Sequence, residues 1–379
     1  MPPVVFNVEN SEDSRDAIHR TVQSLAEGKL AVFPTETVYG VAASARDGEA
    51  VSRLLDAKSR SEGHPLTLAI KSAADAMDYV PSMNPISQRL ARRCWPGPVT
   101  LVMDGSQPDS LLRQLPENVQ TAVCPVGKIG LRVPAHPLIL EVLRLMPGPL
   151  VLSSANRSGE PAPETADDAV KQLADHVDVV LDDGKCQFGQ PSSVVEIHEN
   201  RLKLLRPGVV SESNLGRLAS AIVLLVCTGN TCRSPMAEAL GRHLIAEKMG
   251  CSDDELEERG VMVVSAGIAA MPGSRPSPES VEVMSLAGLD IGGHVAQPLS
   301  HRLALHADMI LTMTNGHRNA IVQQWPHLAE RVDVLSTDQS DISDPIGGSL
   351  EVYQHCARQI EDEMKRRIEG LDFLLPVTD

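Results

Sequence analysis

At 379 residues the chain is long for a single domain of roughly 150, so two domains are expected. The balance is acidic, 34 Lys and Arg against 50 Asp and Glu, with −5 on residues 1–220 and −11 on residues 221–379, and neither half has the basic surplus of a nucleic-acid or membrane-surface polyelectrolyte. Hydrophobic residues make up 42 % but aromatics only 2 %, which leaves the core to Val, Leu, Ile, Ala and Met.

The opening "MPPVVFNVEN" has no basic stretch leading into an apolar one, and no run in the chain reaches the roughly 18 apolar residues needed to span a bilayer. The seven cysteines, an odd number and mostly isolated, suit a reducing compartment. A cytoplasmic protein without membrane contact is expected. After Ser11, "SRDAIHRTVQSLAEG" predicts a helix closed by Gly28, and "LAVFPTETVYG" a strand. Informative pieces then come widely spaced: "PTETVYG" (34–40), "AKSR" (57–60), "WPGPVTLV" (95–102), "GLRVPAHPL" (130–138), "SSANRSGEPAP" (153–163), "PSSVVEI" (191–197) and "LLRPG" (204–208). Singly they are weak, since Lys-x-Arg is ordinarily a solvated helix face and "SSAN" a turn. Together they offer small hydroxyls, an amide and several cations without a Walker-type glycine loop, the ingredients of a nucleotide site outside the P-loop plan.

Taken in order, these segments resemble the YrdC or TsaC type of threonylcarbamoyl-AMP synthase across residues 10–210. The resemblance implies a twisted α/β domain over residues 1–212. It also implies synthesis of threonylcarbamoyl-AMP from ATP, bicarbonate and L-threonine, feeding the tRNA-modification machinery that acts on adenosine 37. It assigns Lys58, Arg60, Ser154, Asn156 and Arg206 to ATP, and Thr35, Arg132 and Ser193 to threonine. Mg2+ would accompany ATP, with no protein-held metal. The family commonly reads K-x-R-P-x-x-K-P-L, whereas this chain has "KSRSEGHPL", with Ser61 for the proline and His64 for the second lysine, so one cationic contact is missing or depends on pH. The alternative is a nucleotide- or RNA-binding module without catalysis.

The polar segment "SESNLGRLAS" (211–220) interrupts two apolar runs and marks the expected boundary, with a second domain over residues 221–379. From there "AIVLLVC", "VMVVSAG", "DMILTMT" and "RVDVLS" read as strands. Helices are expected from Ser234, Ser277, Ser300 and Asn315, and a last one after "DPIGGS". This alternation predicts a doubly wound parallel sheet, whose ligands gather at the carboxyl ends of the strands.

Cys227 falls at such an end and begins C-T-G-N-T-C-R. Amides turned inward by the loop, with the positive end of the following helix, make an anion cradle. The same field favours the thiolate of Cys227, a nucleophile, while Arg233 can hold two phosphate oxygens. Gly229 and Asn230 tolerate the left-handed backbone that such a loop needs. Asp344 of "SDPIGG" supplies a proton donor on a loop stiffened by Pro345. A bare C-x5-R match is often accidental; the strand before it, the turn within it, the helix after it and the downstream Asp-Pro give it context.

With "SAG" (265–267), "GHVAQPL" (293–299), "ADMILTMT" (307–314) and "DPIGGSLEVY" (344–353), the segment "VCTGNTCRSPMAE" resembles the low-molecular-weight protein phosphatase family over residues 221–376. That family acts on phosphoproteins without a cofactor, through a phosphocysteine. The resemblance makes Cys227 the nucleophile, Arg233 the clamp and Asp344 the general acid, on a loop that runs through Thr228 and Gly229. It makes Asn230, Ser234, Ser265 and His294 the supporting polar network, and Cys232 a thiol able to pair with Cys227 under oxidant or merely to pack the loop. Tyrosine-specific members have an apolar residue where this chain has Thr231 and an aromatic where it has Ile346. "CTGNTCRS" with "DPxGGS" looks like the protein-arginine phosphatase branch; the runner-up is phosphotyrosine, with Thr231 bonding only within its loop.

Overall fold

In the first half, short apolar runs form β1 (Val4–Asn7), β2 (Ala31–Phe33), β3 (Gly40–Ser44), β4 (Thr67–Ala69), β5 (Val99–Asp104), β6 (Lys128–Arg132), β7 (Leu150–Ser154), β8 (Val179–Asp182), β9 (Ser193–His198) and β10 (Arg201–Arg206). These belong to a computed structural model that describes residues 2–9, 13–58, 65–199 and 201–371 and divides into units Met1–Leu218 and Ala219–Asp379. The ten strands make one mixed sheet in the order β1-β8-β2-β3-β7-β4-β6-β5-β9-β10. The expected helix runs Arg15–Ala26, burying Ala17, Ile18, Thr21 and Leu25, and Gly28 follows it at φ +78°, the left-handed conformation that glycine adopts without strain.

One expectation fails in this half. "LAVFPTETVYG" is not one strand: β2 stops at Phe33, before a proline that has no N–H for a ladder, and β3 begins at Gly40 and pairs back antiparallel, Ala31 opposite Ala42. Residues 34–39 are therefore the connection of a hairpin. The polar boundary segment contains the helix Glu212–Ala219, which buries Leu215 and Ala219.

The second unit is the doubly wound sheet that the alternation predicts. β11 (Ala221–Cys227), β12 (Val261–Gly267), β13 (Met309–Thr312) and β14 (Val332–Val334) run parallel in the order β12-β11-β13-β14. Every residue of β11 is buried, and its side chains alternate between two cores. Ala221, Val223, Leu225 and Cys227 join the cluster filled by the helices Arg233–Met249, Pro278–Leu286 and Leu350–Glu369. Ile222, Leu224 and Val226 join the one filled by His301–His306 and Asn315–Gln324. Ser277, Ser300 and Thr314 cap their helices through side-chain oxygens. Among the described residues no helix is long and apolar enough to cross a membrane.

The last pair of the β11–β12 register sets Cys227 beside Gly267. A Cβ at Gly267 would lie 2.5 Å from the Thr228 carbonyl and 2.9 Å from the Asn230 amide, so only glycine lets the loop after β11 pass this close. Gly267→Ala should destabilise the second unit by about 1–3 kcal/mol through overpacking. Urea unfolding followed by Trp325 emission measures it, and an unchanged midpoint would show that the loop yields freely.

Candidate active sites

The loop after β11 folds onto the sulfur of Cys227. Asn230 stands at φ +56° and its amide donates to Cys227 Sγ at 3.2 Å, with Ser234 Oγ 3.0 Å from the same sulfur. The loop thus encloses the sulfur and turns at least one backbone N–H onto it. The Asn230 side chain donates to Ser234 Oγ (2.9 Å) and Ser265 Oγ (2.8 Å) and accepts from the Gln297 amide (2.9 Å). Ser265 in turn donates to Glu238 (2.5 Å), and His294 Nε2 lies 3.1 Å from the Asn230 carbonyl. Asn230, Ser234 and Ser265 are buried and fully engaged.

Arg233, the first residue of its helix, is buried; its guanidinium donates to Asp344 Oδ2 at 2.5 Å and to the Ile342 carbonyl at 3.3 Å. Asp344 itself is half exposed, placed for traffic with solvent. Nucleophile, cation and carboxylate thus share one mouth, with Thr228, Gly229 and Thr231 in the loop. The Thr231 hydroxyl meets Cys232 Sγ at 3.7 Å, and Cys232 Sγ lies 3.7 Å from the Tyr353 hydroxyl. Burial pushes the thiols of Cys94 and Cys356 up to about 12, which keeps them protonated and inert at neutral pH. Ile346 is 73 % exposed beside this mouth and offers no ring to stack on.

The first unit holds a cavity of about 530 Å³ lined by Thr35, Arg132, Ser154 and Arg206 among the expected residues, with Lys128 paired to Glu196 at its wall. Lys58 caps the helix Gly48–Ala57 and is buried, not a solvated helix face; its ammonium donates to the carbonyls of Ser154 (2.7 Å) and Asn156 and to Asn156 Oδ1 (3.0 Å). Ser154 Oγ also donates to Asn156 Oδ1. Three of the residues assigned to ATP therefore form one knot. Arg206 donates to the Ser192 carbonyl at 2.9 Å and to Ser192 Oγ at 3.0 Å. Arg60, Ser61 and His64 lie outside the described residues.

Of the residues assigned to threonine, Thr35 bonds within the hairpin connection, to Thr37 Oγ1 (2.8 Å) and the Val38 carbonyl (2.7 Å). Arg132 is clamped in a buried ion pair with Glu36 (2.7 Å) and donates to Thr37 Oγ1 (2.9 Å). Ser193 differs from expectation, because its hydroxyl is turned to the backbone of Val210 and Ser192 lines the cavity instead. Strand alternation explains this: one step along β9 reverses the face. Among the described residues no three His, Cys, Asp or Glu side chains converge as a metal cage, and Glu196, the carboxylate on the cavity lining, already has Lys128.

Sequence reasoning missed Glu36, Ser192, Glu238, Gln297 and His317. Glu36 stood within "PTETVYG", and Glu238 lies four residues from Ser234 on one helix face, a spacing that could have exposed it. Ser192 and Gln297 likewise stood within "PSSVVEI" and "GHVAQPL", while His317 lies in no such segment and meets Thr228 only through tertiary folding.

Comparison with known proteins separates the chain along the same lines. The Sua5/YciO/YrdC family, described as telomere recombination, matches residues 23–208, and the low molecular weight phosphotyrosine protein phosphatase family matches residues 222–372. A Mycobacterium tuberculosis protein provisionally named threonylcarbamoyl-AMP synthase is 36 % identical over 213 residues, 56 % of this chain and 94 % of the relative. The protein-arginine-phosphatase of Bacillus subtilis is 34 % identical over 153 residues, 39 % of this chain and 95 % of the relative. A solved P. abyssi Sua5 variant, 22 % identical with a TM-score of 0.51 over 82 % of this chain and 98 % of its own, shares the fold. This chain belongs to the Sua5/YciO/YrdC family through its first unit and to the low-molecular-weight protein phosphatase family through its second.

Proposed function

We propose that the chain is a bifunctional enzyme, making threonylcarbamoyl-AMP in residues 1–212 and hydrolysing phosphoarginine on proteins in residues 221–379. The observation that supports the second activity best is the convergence of the Asn230 amide and Ser234 hydroxyl on Cys227 Sγ, with Arg233 and Asp344 paired beside it. In this reading the Cys227 thiolate attacks phosphorus and the P–N bond breaks while Asp344, entering protonated, gives its proton to the departing guanidine. Asp344 then takes a proton from water, whose oxygen attacks phosphorus, breaks the P–S bond and returns the thiolate. Arg233 holds the phosphoryl oxygens through both steps.

In the first unit, the threonine amine and bicarbonate condense to a carbamate with loss of water. A carbamate oxygen then attacks the α-phosphorus of ATP, and pyrophosphate leaves. Arg132, held by Glu36, would take the amino acid carboxylate; Lys58, Ser154, Asn156, Arg60 and Arg206 would take the nucleotide. Ser192 is the better placed of the two serines to face substrate. Magnesium would enter on the phosphates of ATP itself. The adenylate would pass to the tRNA-modification machinery, and a cytoplasmic setting accords with seven unpaired cysteines.

Two substitutions separate the activities. Cys227→Ser should abolish phosphatase turnover, because serine does not ionise near neutrality, and leave pyrophosphate release from ATP, threonine and bicarbonate intact. Lys58→Ala should do the reverse, slowing pyrophosphate release at least about tenfold for the loss of about 1.4 kcal/mol in the transition state. Phosphatase turnover surviving in the first variant would remove Cys227 as nucleophile, and unchanged pyrophosphate release in the second would remove Lys58 from the nucleotide contacts.

Phosphoarginine is preferred over phosphotyrosine because Thr231 puts a hydroxyl in the loop and Ile346 offers no ring. Thr231→Ile removes that hydroxyl and adds apolar surface worth only about 1–3 kcal/mol. It should lower kcat/KM on phosphoarginine peptides while sparing or raising it on phosphotyrosine peptides. Equal changes on both would make Thr231 structural and restore phosphotyrosine as the substrate.

A further inference from the structure

A second set of contacts reaches the phosphate loop from the carboxyl end of β13. His317 is buried in the first turn of its helix, with Nε2 2.9 Å from Thr228 Oγ1 and Nδ1 3.0 Å from Thr314 Oγ1. Thr314 also caps this helix, its oxygen accepting the His317 amide at 3.2 Å. Thr228, by contrast, is exposed at the loop.

A buried imidazole between two hydroxyls must choose which nitrogen carries its proton. Burial, and next the Arg233 guanidinium, hold His317 below the ordinary histidine range, against the opposing pull of Asp344 and Asp341, so it is neutral at pH 7 with one N–H. If Nδ1 carried the hydrogen, Thr314 Oγ1 would accept twice and its own proton would have no use in this contact. If Nε2 carries it, Thr314 donates to Nδ1, Nε2–H donates to Thr228 Oγ1, and the one hydroxyl proton left over belongs to exposed Thr228 rather than to half-buried Thr314, where leaving it unpaired costs more. The Thr228 hydroxyl proton is then turned away from His317.

We propose that His317 is a positioning residue of the phosphatase reaction: anchored by Thr314, it donates to Thr228 Oγ1 and so commits the Thr228 hydroxyl proton to a phosphoryl oxygen in the loop. The proposal rests on the phosphatase reading of Cys227, and because it concerns the phosphoryl group it holds for either leaving group. This contact set is separate from the one centred on Asn230: there Asn230 joins Ser234 and Ser265, and Ser265 joins Glu238, whereas here His317 joins Thr314 and Thr228.

The test is a double-mutant cycle on the full chain, with Thr228→Val, His317→Ala and the pair. It reads kcat and KM on para-nitrophenyl phosphate and competitive inhibition by inorganic phosphate. Each single variant should weaken phosphate inhibition and kcat/KM on the order of tenfold, the loss expected for one hydrogen bond to a charged group. The pair should lose no more than about twofold beyond Thr228→Val, because His317 acts through that hydroxyl. His317→Gln, which returns an N–H donor near the Nε2 position, should recover most of the loss. Losses that multiply in the pair, or a Thr228→Val variant indistinguishable from the parent, would overturn the proposal, and the second outcome needs no His317 variant to fold. If Cys227→Ser also retained turnover, the phosphatase reading would fail, a result distinct from multiplied losses on a Cys227-dependent background.

Discussion

The second unit's site depends on a single backbone conformation, Asn230 at φ +56°. In that left-handed region the amide of Asn230 turns back onto Cys227 Sγ while its carbonyl faces His294. Asparagine tolerates the conformation better than other side-chain-bearing residues, and here its amide group makes three further bonds, to Ser234, Ser265 and Gln297. Strain and compensation occur in one residue. The loop is held by buried polar contacts, each of which would leave an unpaired donor or acceptor if broken.

The first unit uses a different constraint. Arg132 and Glu36 form a nearly dry ion pair, costly to desolvate and tolerable because Glu36 also accepts the Ala135 amide and Arg132 also reaches Thr37 and the Gly97 carbonyl. The pair ties β6 to the hairpin connection between β2 and β3, so that a six-residue loop is fixed by charge as well as by its flanking strands. Lys58 plays the matching part at the other polar group, drawing the ends of β7 and of the helix Gly48–Ala57 together through oxygens of Ser154 and Asn156.

Much of this was legible in the chain. The four apolar runs of the second unit, their alternation with capped helices and the C-x5-R loop at a strand end predicted the parallel sheet and the placement of Cys227, Arg233 and Asp344, because each signal is local and periodic. In the first unit the motifs pointed to the right region, yet the strand through "PTETVYG" was read without its break, since the connection carries the β-branched and aromatic residues of a strand and only Pro34 marks the interruption. Ser193 was assigned through the resemblance, and that Ser192 lines the cavity could not be read from two adjacent serines, because register is not visible there. Glu36 and His317 escaped because their partners lie 96 and 89 residues away.

The pairing of Arg233 with Asp344 has a consequence for which anions the phosphatase loop can hold. The guanidinium already has a counter-ion supplied by the protein, so a monovalent anion entering the loop merely exchanges one negative charge for another and forfeits the carboxylate's geometry. A phosphoryl dianion brings two charges and more acceptor oxygens, enough to outbid the carboxylate and leave it free at the mouth. The carboxylate thereby makes chloride and its like poorer occupants beside Arg233 than a dianion, a discrimination by charge that needs no contact to the rest of the ligand.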